Sequence, residues 1–409
     1  MDEMQADVVC ISHLWWNWVW QRPQQLITRL AQHHRVFWTE EPHIEIGPPS
    51  DAFEITEEAP HLTLGRLILR SDADTFVSRL KQTLTQSGAD NFRLPAELRE
   101  ASLLFESSAQ ERLEREVVEY VSAWRHGPLV LWLYTPIVAN FIDLLKPDLV
   151  VYDVMDELTA FKYAPPRLKQ QEQALLQRAD LVFTGGPSLY EARRSRRPDV
   201  HLFPSGVDRQ HFAQELPAPL ALRDLPHPII GFFGVIDERI DLELLARAAQ
   251  ARPDWNWVMI GPVLKIEEQS LPREVNIHYL GKQAYGDLPT YLRAFDVAML
   301  PFALNEATQF ISPTKTLEYM AAHKPIVSTP IKDVSTLYGS VVRIAATAEA
   351  FVAQIEAALG ESAGESDDRH HRELELLQRY EWDQIAAQMN TLIEERLQQK
   401  LHMARSRSR

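Results

Sequence analysis

Residues 310–325 read Phe-Ile-Ser-Pro-Thr-Lys-Thr-Leu-Glu-Tyr-Met-Ala-Ala-His-Lys-Pro. Ser312 suits an N-cap and Pro313 the first helical position, so the spacing predicts a helix over 313–322. Lys315 would be its third residue, where a first turn ordinarily favours Asp or Glu. A cation among backbone N–H groups makes sense beside an anion, most simply a phosphate. Glu318 follows Lys315 by three residues and Thr314 by four, on the same helical face. A phosphate cradle at Ser312, Thr314 and Lys315, with a carboxylate one turn deeper, is the chemistry a nucleotide-sugar requires. Its diphosphate meets the tip and its hydroxyls meet the acid. The plainer alternative is a capped helix with solvated Lys and Glu.

Other strand ends carry cations. Gly231-Phe-Phe-Gly-Val-Ile-Asp-Glu-Arg follows an apolar run, so Gly234 permits close backbone approach and Arg239 can grip a phosphate through two nitrogens. Lys265 follows the glycine turn at Gly261. Tyr279-Leu-Gly-Lys-Gln makes a third glycine turn, suited to hold a base edge near Lys282 and Gln283. Arg239, Lys265 and Lys315 together would form a diphosphate clamp. Against this stands the reading of ordinary strand–helix turns with surface cations. The dinucleotide fingerprint Gly-x-Gly-x-x-Gly is not convincingly present.

The first half carries a different chemistry. His13-Leu-Trp-Trp-Asn-Trp-Val-Trp-Gln-Arg crowds tryptophans around His13, Trp16, Asn17 and Arg22, as a sugar-stacking acceptor loop would. The alternative is that these rings simply pack. Asp153, Asp156 and Glu157 lie beyond an apolar run and are placed to bind hydroxyls or act as a general base. Capping of the next segment is the equal alternative. The basic run 191–198 reads as a solvated helix end, or as a contact for anionic lipid or an anionic acceptor. His370-His-Arg reads as a solvated turn rather than a ligand set, and no metal site is expected.

These residues need elements to hold them. Apolar runs at 7–12, 35–39, 129–133, 149–152, 181–184 and 200–203 alternate with helical patterns such as 23–31. The stretch 73–126 reads as polar and mostly helical. Prolines between 204 and 228 break the pattern, and the alternation restarts at 229–233, 255–260, 275–280, 297–300, 326–328 and 341–344. A polar, flexible segment is expected around 360–370, then a long helix from 382 to 400 and a disordered tail from 403. The expected fold class is α/β: two doubly wound, parallel-sheet (Rossmann-like) domains facing a cleft.

The 409 residues suffice for two such cores. A formal charge of −15 argues against general nucleic-acid binding, and one cysteine, Cys10, excludes a disulfide framework and a cysteine-based zinc site. No apolar run reaches membrane-spanning length, and the acidic start lacks signal-peptide character, so a cytoplasmic protein is expected.

The order Gly234…Arg239, Tyr279-Leu-Gly, Asp296-Val-Ala-Met-Leu-Pro, then Ser312 to Ser328, resembles the donor domain of family 4-type glycosyltransferases of GT-B fold. Leu202-Phe-Pro-Ser-Gly-Val-Asp-Arg-Gln-His-Phe is similar to that family's domain-junction element, and Gln21-Arg-Pro-Gln-Gln-Leu to bacterial cell-surface polysaccharide members. The resemblance implies an acceptor-side domain over 1–205, a donor domain over 206–378, a helix over 379–400 crossing back to the first domain, and a basic tail over 401–409. It implies a retaining, metal-independent hexosyltransferase with no cofactor beyond a UDP- or GDP-linked sugar as co-substrate. Arg239 and Lys315 would bind diphosphate and Glu318 the ribose. Phe310 stands where the family usually has a Glu, so Glu306 becomes the expected sugar-side carboxylate. No clear equivalent of the family's second basic residue follows Arg239, and Lys265 is the substitute. His323 replaces a usual Gly. The expected partners are the donor and a saccharide or lipid-linked acceptor, with peripheral contact at the inner face of the membrane. Rival readings are a nucleotide-sugar epimerase and a non-catalytic binding subunit of the same fold.

Overall fold

The computed structural model describes residues 5–46, 50–71, 107–160, 164, 166–214 and 216–407. Contacts divide the chain into two units: Met1–Gly185, Leu189–Phe203 and Ile385–Arg409 form the first, and Gly186–Ser188 with Pro204–Gln384 the second.

The first unit is built on nine strands: β1 (Asp7–Ile11), β2 (Arg35–Thr39), β3 (His43–Ile46), β4 (Ala52–Ala59), β5 (Leu62–Ser71), β6 (Leu129–Leu133), β7 (Leu149–Val154), β8 (Leu181–Thr184) and β9 (Val200–Leu202). Their order is β3-β5-β2-β1-β6-β7-β8-β9, with β4 antiparallel on β5 and every other pair parallel. The central strands are buried along their whole length, which is why they read as unbroken apolar runs. Strands β3 to β5 were not legible, because β4 (AFEITEEA) is largely exposed and charged. The helix Ser107–Trp124 meets the helical expectation for its stretch; residues 73–106 lie outside the described residues.

The second unit holds β10 (Ile229–Phe233), β11 (Asn256–Ile260), β12 (Ile277–Tyr279), β13 (Val297–Leu300), β14 (Ile326–Ser328) and β15 (Val342–Ile344). All are parallel, in the order β12-β11-β10-β13-β14-β15. In units of this unit's own sequence that is 3-2-1-4-5-6, so the winding reverses between β10 and β13. In open α/β sheets such a reversal, beyond the carboxyl ends of the two strands, is where ligands ordinarily bind.

Three local expectations are corrected. The helix after β13 spans Lys315–Ala321, not 313–322; Ser312 makes no side-chain cap, and Lys315 is the first helical residue. The segment around 360–370 is not flexible. Ser362 and Glu365 form a reciprocal capping box that starts the helix Ala363–Arg379, and Arg369 ties it to Glu361 and Glu373. From Met403 to Arg407 the expected tail continues the helix Trp382–Arg407, and 408–409 lie outside the described residues. Ile385, Met389, Ile393 and Leu397 recur at every fourth position and are buried. Within the first unit this helix is fastened by His34 Nε2 to Asn390 Oδ1 (2.6 Å) and by Lys400 Nζ to Asp180 (2.6 Å). Among the described residues no helix is long and apolar enough to cross a membrane.

Close packing at the centre of the second sheet is testable. A Cβ on Gly231 in β10 would lie 2.2 Å from the buried Phe295 ring. Gly231→Ala should therefore cost about 1–3 kcal/mol, read from a chemical-denaturation midpoint.

Candidate functional site

The helix Lys315–Ala321 is held against the end of β10 by Tyr319. Its buried hydroxyl accepts a hydrogen bond from the Phe233 amide (3.1 Å), and its ring meets Phe233 edge-on at 4.9 Å. Four residues earlier, on the same face, the Lys315 side chain lies across Gly234. A Cβ at Gly234 would stand 2.0 Å from Lys315 Cε and 2.8 Å from its Nζ. Gly234 has φ +144°, a left-handed region that favours glycine. The neighbouring turn is as tight, since a Cβ on Gly261 (φ +146°) would sit 1.8 Å from the Gly234 carbonyl oxygen. The turns stay in ladder: Gly234 N–H donates to Ile260 O, and Gly261 N–H to Gly281 O. The three glycine turns of the sequence thus stand side by side at the ends of β10, β11 and β12.

Glu318, half-buried one turn past Lys315, is hemmed in closely enough that desolvation pushes its carboxyl up to about 7, with the Lys315 charge opposing. A carboxyl of that kind alternates near neutral pH between accepting and donating a hydrogen bond, both useful toward a diol.

The loops after β10 and β13 are bound to each other. Asp241 N–H donates to Pro301 O, Ala303 N–H to Arg239 O, and Asn305 Nδ2 to Glu238 O. Arg239 sits in this loop, but its Nε and Nη2 edge is engaged by the buried Asp237 carboxylate at 2.7–3.1 Å. The expected two-nitrogen grip on phosphate is therefore directed to Asp237, which fixes the guanidinium and offsets its charge. Lys265, at φ +58°, places Nζ 3.8 Å from Glu238 Oε1. Glu238 escaped notice in the sequence, yet both its carboxylate oxygens are shielded and accept no hydrogen bond among the described residues. Glu306 opens a short 3-10 turn and is exposed. Gln283 is turned inward to its own loop, donating to Leu280 O and accepting from Tyr291 Oη, while Lys282 beside it is exposed. Ser312 and Thr314 flank the helix start, half-buried.

In the first unit several expected acceptor residues prove to be internal. Arg22 and Asp153 form a buried pair (2.9–3.1 Å, 2% and 0% exposed), with Arg22 Nη1 on Phe203 O. Trp16 is 2% exposed; its amide donates to Glu40, and its ring packs edge-on against Trp20 and Trp38. Glu157 pairs with Arg193, which also binds Glu172. Arg22, Asp153 and Glu157 thus have their charges paired inside the protein, and the Trp16 ring is packed there with its Nε1 lacking a hydrogen-bond partner among the described residues. Asn17 is exposed, and His13 and Asp156 are half-buried. Glu40, which the sequence did not mark, organises the loop: it also accepts from Trp38 Nε1 and pairs with His43 and Arg66. His43 in turn stacks on Trp15 at 4.4 Å. The basic run is largely consumed, with Arg193 and Arg196 on Glu172, and Arg197 on the carbonyls of Leu176 and Ala179 and on Asp199.

Residues 227–361 match the family model for Glycosyl transferases group 1, a span holding β10 to β15 and every residue expected on the donor side. The match covers about a third of the chain, and this part is similar to that family. A relative, the "Putative teichuronic acid biosynthesis glycosyltransferase TuaH" of Bacillus subtilis, is 26% identical over 225 residues. That match covers 51% of this chain and 57% of the relative's length. Two solved structures share the architecture. One is described as "Trehalose-6-phosphate from E. coli bound with UDP-2-fluoro glucose" (14% identity, TM-score 0.69, 96% of this chain and 99% of that one). The other is the sucrose-phosphate synthase of Thermosynechococcus elongatus (17%, 0.69, 96% and 99%). The fold is GT-B-like.

Two outcomes follow from the geometry. Arg22→Met strands the buried Asp153 carboxylate and should cost about 3–5 kcal/mol, whereas Asn17→Ala, at an exposed site, should stay within about 0.5 kcal/mol in the same denaturation assay. The Glu318 carboxyl has a folded pKa above its unfolded value, so the fold favours its neutral form. Its contribution is fully present below about 4.5 and is lost as pH rises through about 7. Glu318→Gln should flatten stability against pH across that window; an unchanged slope contradicts the burial.

Proposed function

We propose that the chain is a glycosyltransferase that takes a nucleoside-diphosphate sugar, UDP- or GDP-linked, on its second unit and transfers the sugar to a saccharide or lipid-linked acceptor. The observation that carries this is Lys315 laid over Gly234 at the winding reversal of the second sheet, with Glu318 one turn further along the same helix. Gly234 lets a diphosphate approach the backbone, Lys315 meets the negative charge that grows on the leaving diphosphate, and Glu318 takes the ribose hydroxyls. Lys315 is the main cation; Arg239, half-neutralised by Asp237, and Lys265, beside Glu238, assist. The seven-residue helix lends little dipole, so the lysine charge replaces it.

We assign the reaction as retaining, with lysine and arginine rather than a metal ion meeting the diphosphate. On the sugar side, Glu306 is the carboxylate open to a ligand, while Glu238 is shielded beside Lys265. The acceptor-side candidates are reduced to His13 and Asn17, in the loop where Trp15 stacks on His43, and Asp156 beyond β7. The teichuronic acid relative supports an acceptor from polysaccharide synthesis; handling at the inner face of the membrane is part of the same proposal. Lipid contact would have to rely on residues other than the engaged Arg193, Arg196 and Arg197. The epimerase reading weakens, since its acid pair would draw on Asp153 and Glu157, both already paired.

The test is a panel of UDP- and GDP-sugars followed by calorimetry and by release of nucleoside diphosphate. One donor should bind and be slowly hydrolysed; an isomerised donor would instead establish the epimerase, and binding without turnover on any acceptor the non-catalytic subunit. Lys315→Ala should weaken nucleoside-diphosphate binding about 10- to 100-fold, the worth of a charged hydrogen bond. Unchanged affinity removes the central assignment.

A further inference from the structure

The sequence analysis treats His370-His-Arg as a solvated turn, but the structure puts His370 within the helix Ala363–Arg379, three residues before Glu373. Both face His323, just past the end of the helix Lys315–Ala321. Glu373 is fully buried. Its Oε1 accepts from Arg369 Nη1 at 2.6 Å, while its Oε2 accepts no hydrogen bond. That oxygen stands 3.9 Å from Nδ1 of His323 and 3.9 Å from Nδ1 of His370. The His370 Nδ1 is likewise shielded and unbonded, and the two imidazoles meet edge to face with centroids 3.8 Å apart. An imidazole N–H bonded to a carboxylate would sit at about 2.8 Å, so neither ring is bonded to Glu373.

One donor atom from each of these three side chains lies within 4.8 Å of the others. Ligands around a tetrahedral ion with bonds of about 2.0–2.2 Å stand roughly 3.3–3.6 Å apart, so the two 3.9 Å pairs need to close by about half an ångström, and a pair at the 4.8 Å limit by a little over 1 Å, to complete a site. We propose that His323, His370 and Glu373 bind a divalent transition-metal ion, Zn²⁺ being the best match, with water as the fourth ligand. Two imidazoles and one carboxylate suit Zn²⁺ rather than the all-oxygen preference of Mg²⁺ or Ca²⁺. The outer shell is already built. Arg369 orients Glu373, Glu361 holds Arg369 through two oxygens at 3.0–3.2 Å, and Arg343 reaches Glu361 at 3.4 Å. His323 itself sits at φ +57°, a backbone state glycine adopts without strain. The imidazole, which glycine would lack, is what the site uses. The ion would tie the helix that begins at Lys315 to the helix Ala363–Arg379, giving it a bracing role apart from the sugar chemistry.

The full chain, free of any affinity tag and stripped with a chelator, is titrated with Zn²⁺, Co²⁺ and Mg²⁺ near neutral pH. Calorimetry should give one Zn²⁺ per chain with a dissociation constant of about 1 µM or lower, Co²⁺ should show the visible absorption of a tetrahedral site, and Mg²⁺ should not bind. Zn²⁺ should also raise the thermal midpoint. His323→Gly relieves the left-handed backbone and so keeps the fold. It and His370→Ala should each weaken Zn²⁺ at least about 10-fold and remove the thermal shift. Absence of Zn²⁺ binding, or an affinity in either variant unchanged from that of the unsubstituted chain, overturns the proposal.

Discussion

A hydrogen in place of a side chain at Gly234 sets the geometry of the second unit. Only there does the backbone at the end of β10 leave room for the Lys315 side chain, and any Cβ would occupy the place of Lys315 Cε. Tyr319 makes the approach permanent, because a buried hydroxyl with one backbone donor has no cheaper partner elsewhere. Position and charge then come together. The same helix delivers Lys315 at its start and Glu318 one turn on, both indexed to the strand end by a single hydrogen bond. Gly261 repeats the device one strand over, where its backbone packs directly against the Gly234 carbonyl.

The first unit follows the opposite logic. Its charges are drawn inward and used up: Arg22 on Asp153, Arg193 between Glu157 and Glu172, Glu40 between indole, imidazole and guanidinium. Buried charges persist only when paired, so these networks hold the loop and strand ends in place and leave few groups to meet an acceptor. Accessible chemistry there comes from residues the networks position, not from the networks themselves.

Strand positions were legible because parallel strands buried on both faces must be unbroken apolar runs; β6, β8, β10 and β13 are of this kind. Exposed β4, paired on one side only, carries no such signature. The positions of Gly234, Lys315 and Glu318 were legible for a similar reason: each sits at a strand end or on one helix face, where local spacing dictates position. Helix limits were less so. Ser312 and Pro313 are good start signals, yet the helix begins at Lys315.

Trp16 and Arg22 look like ligand-binding residues in any list of types, and only the tertiary structure shows that both are buried. Glu238, the Arg239–Asp237 pairing and the meeting of His323 with His370 and Glu373 depend on which segments the fold brings together. The chain by itself determined the alternation of strands and helices, the glycine turns and the lysine-bearing helix, since these arise from contacts within a few residues. Tertiary structure alone decided which charges are spent on one another and which are left for a ligand, because pairing is settled by distance in space and desolvation, and neither is written in local order.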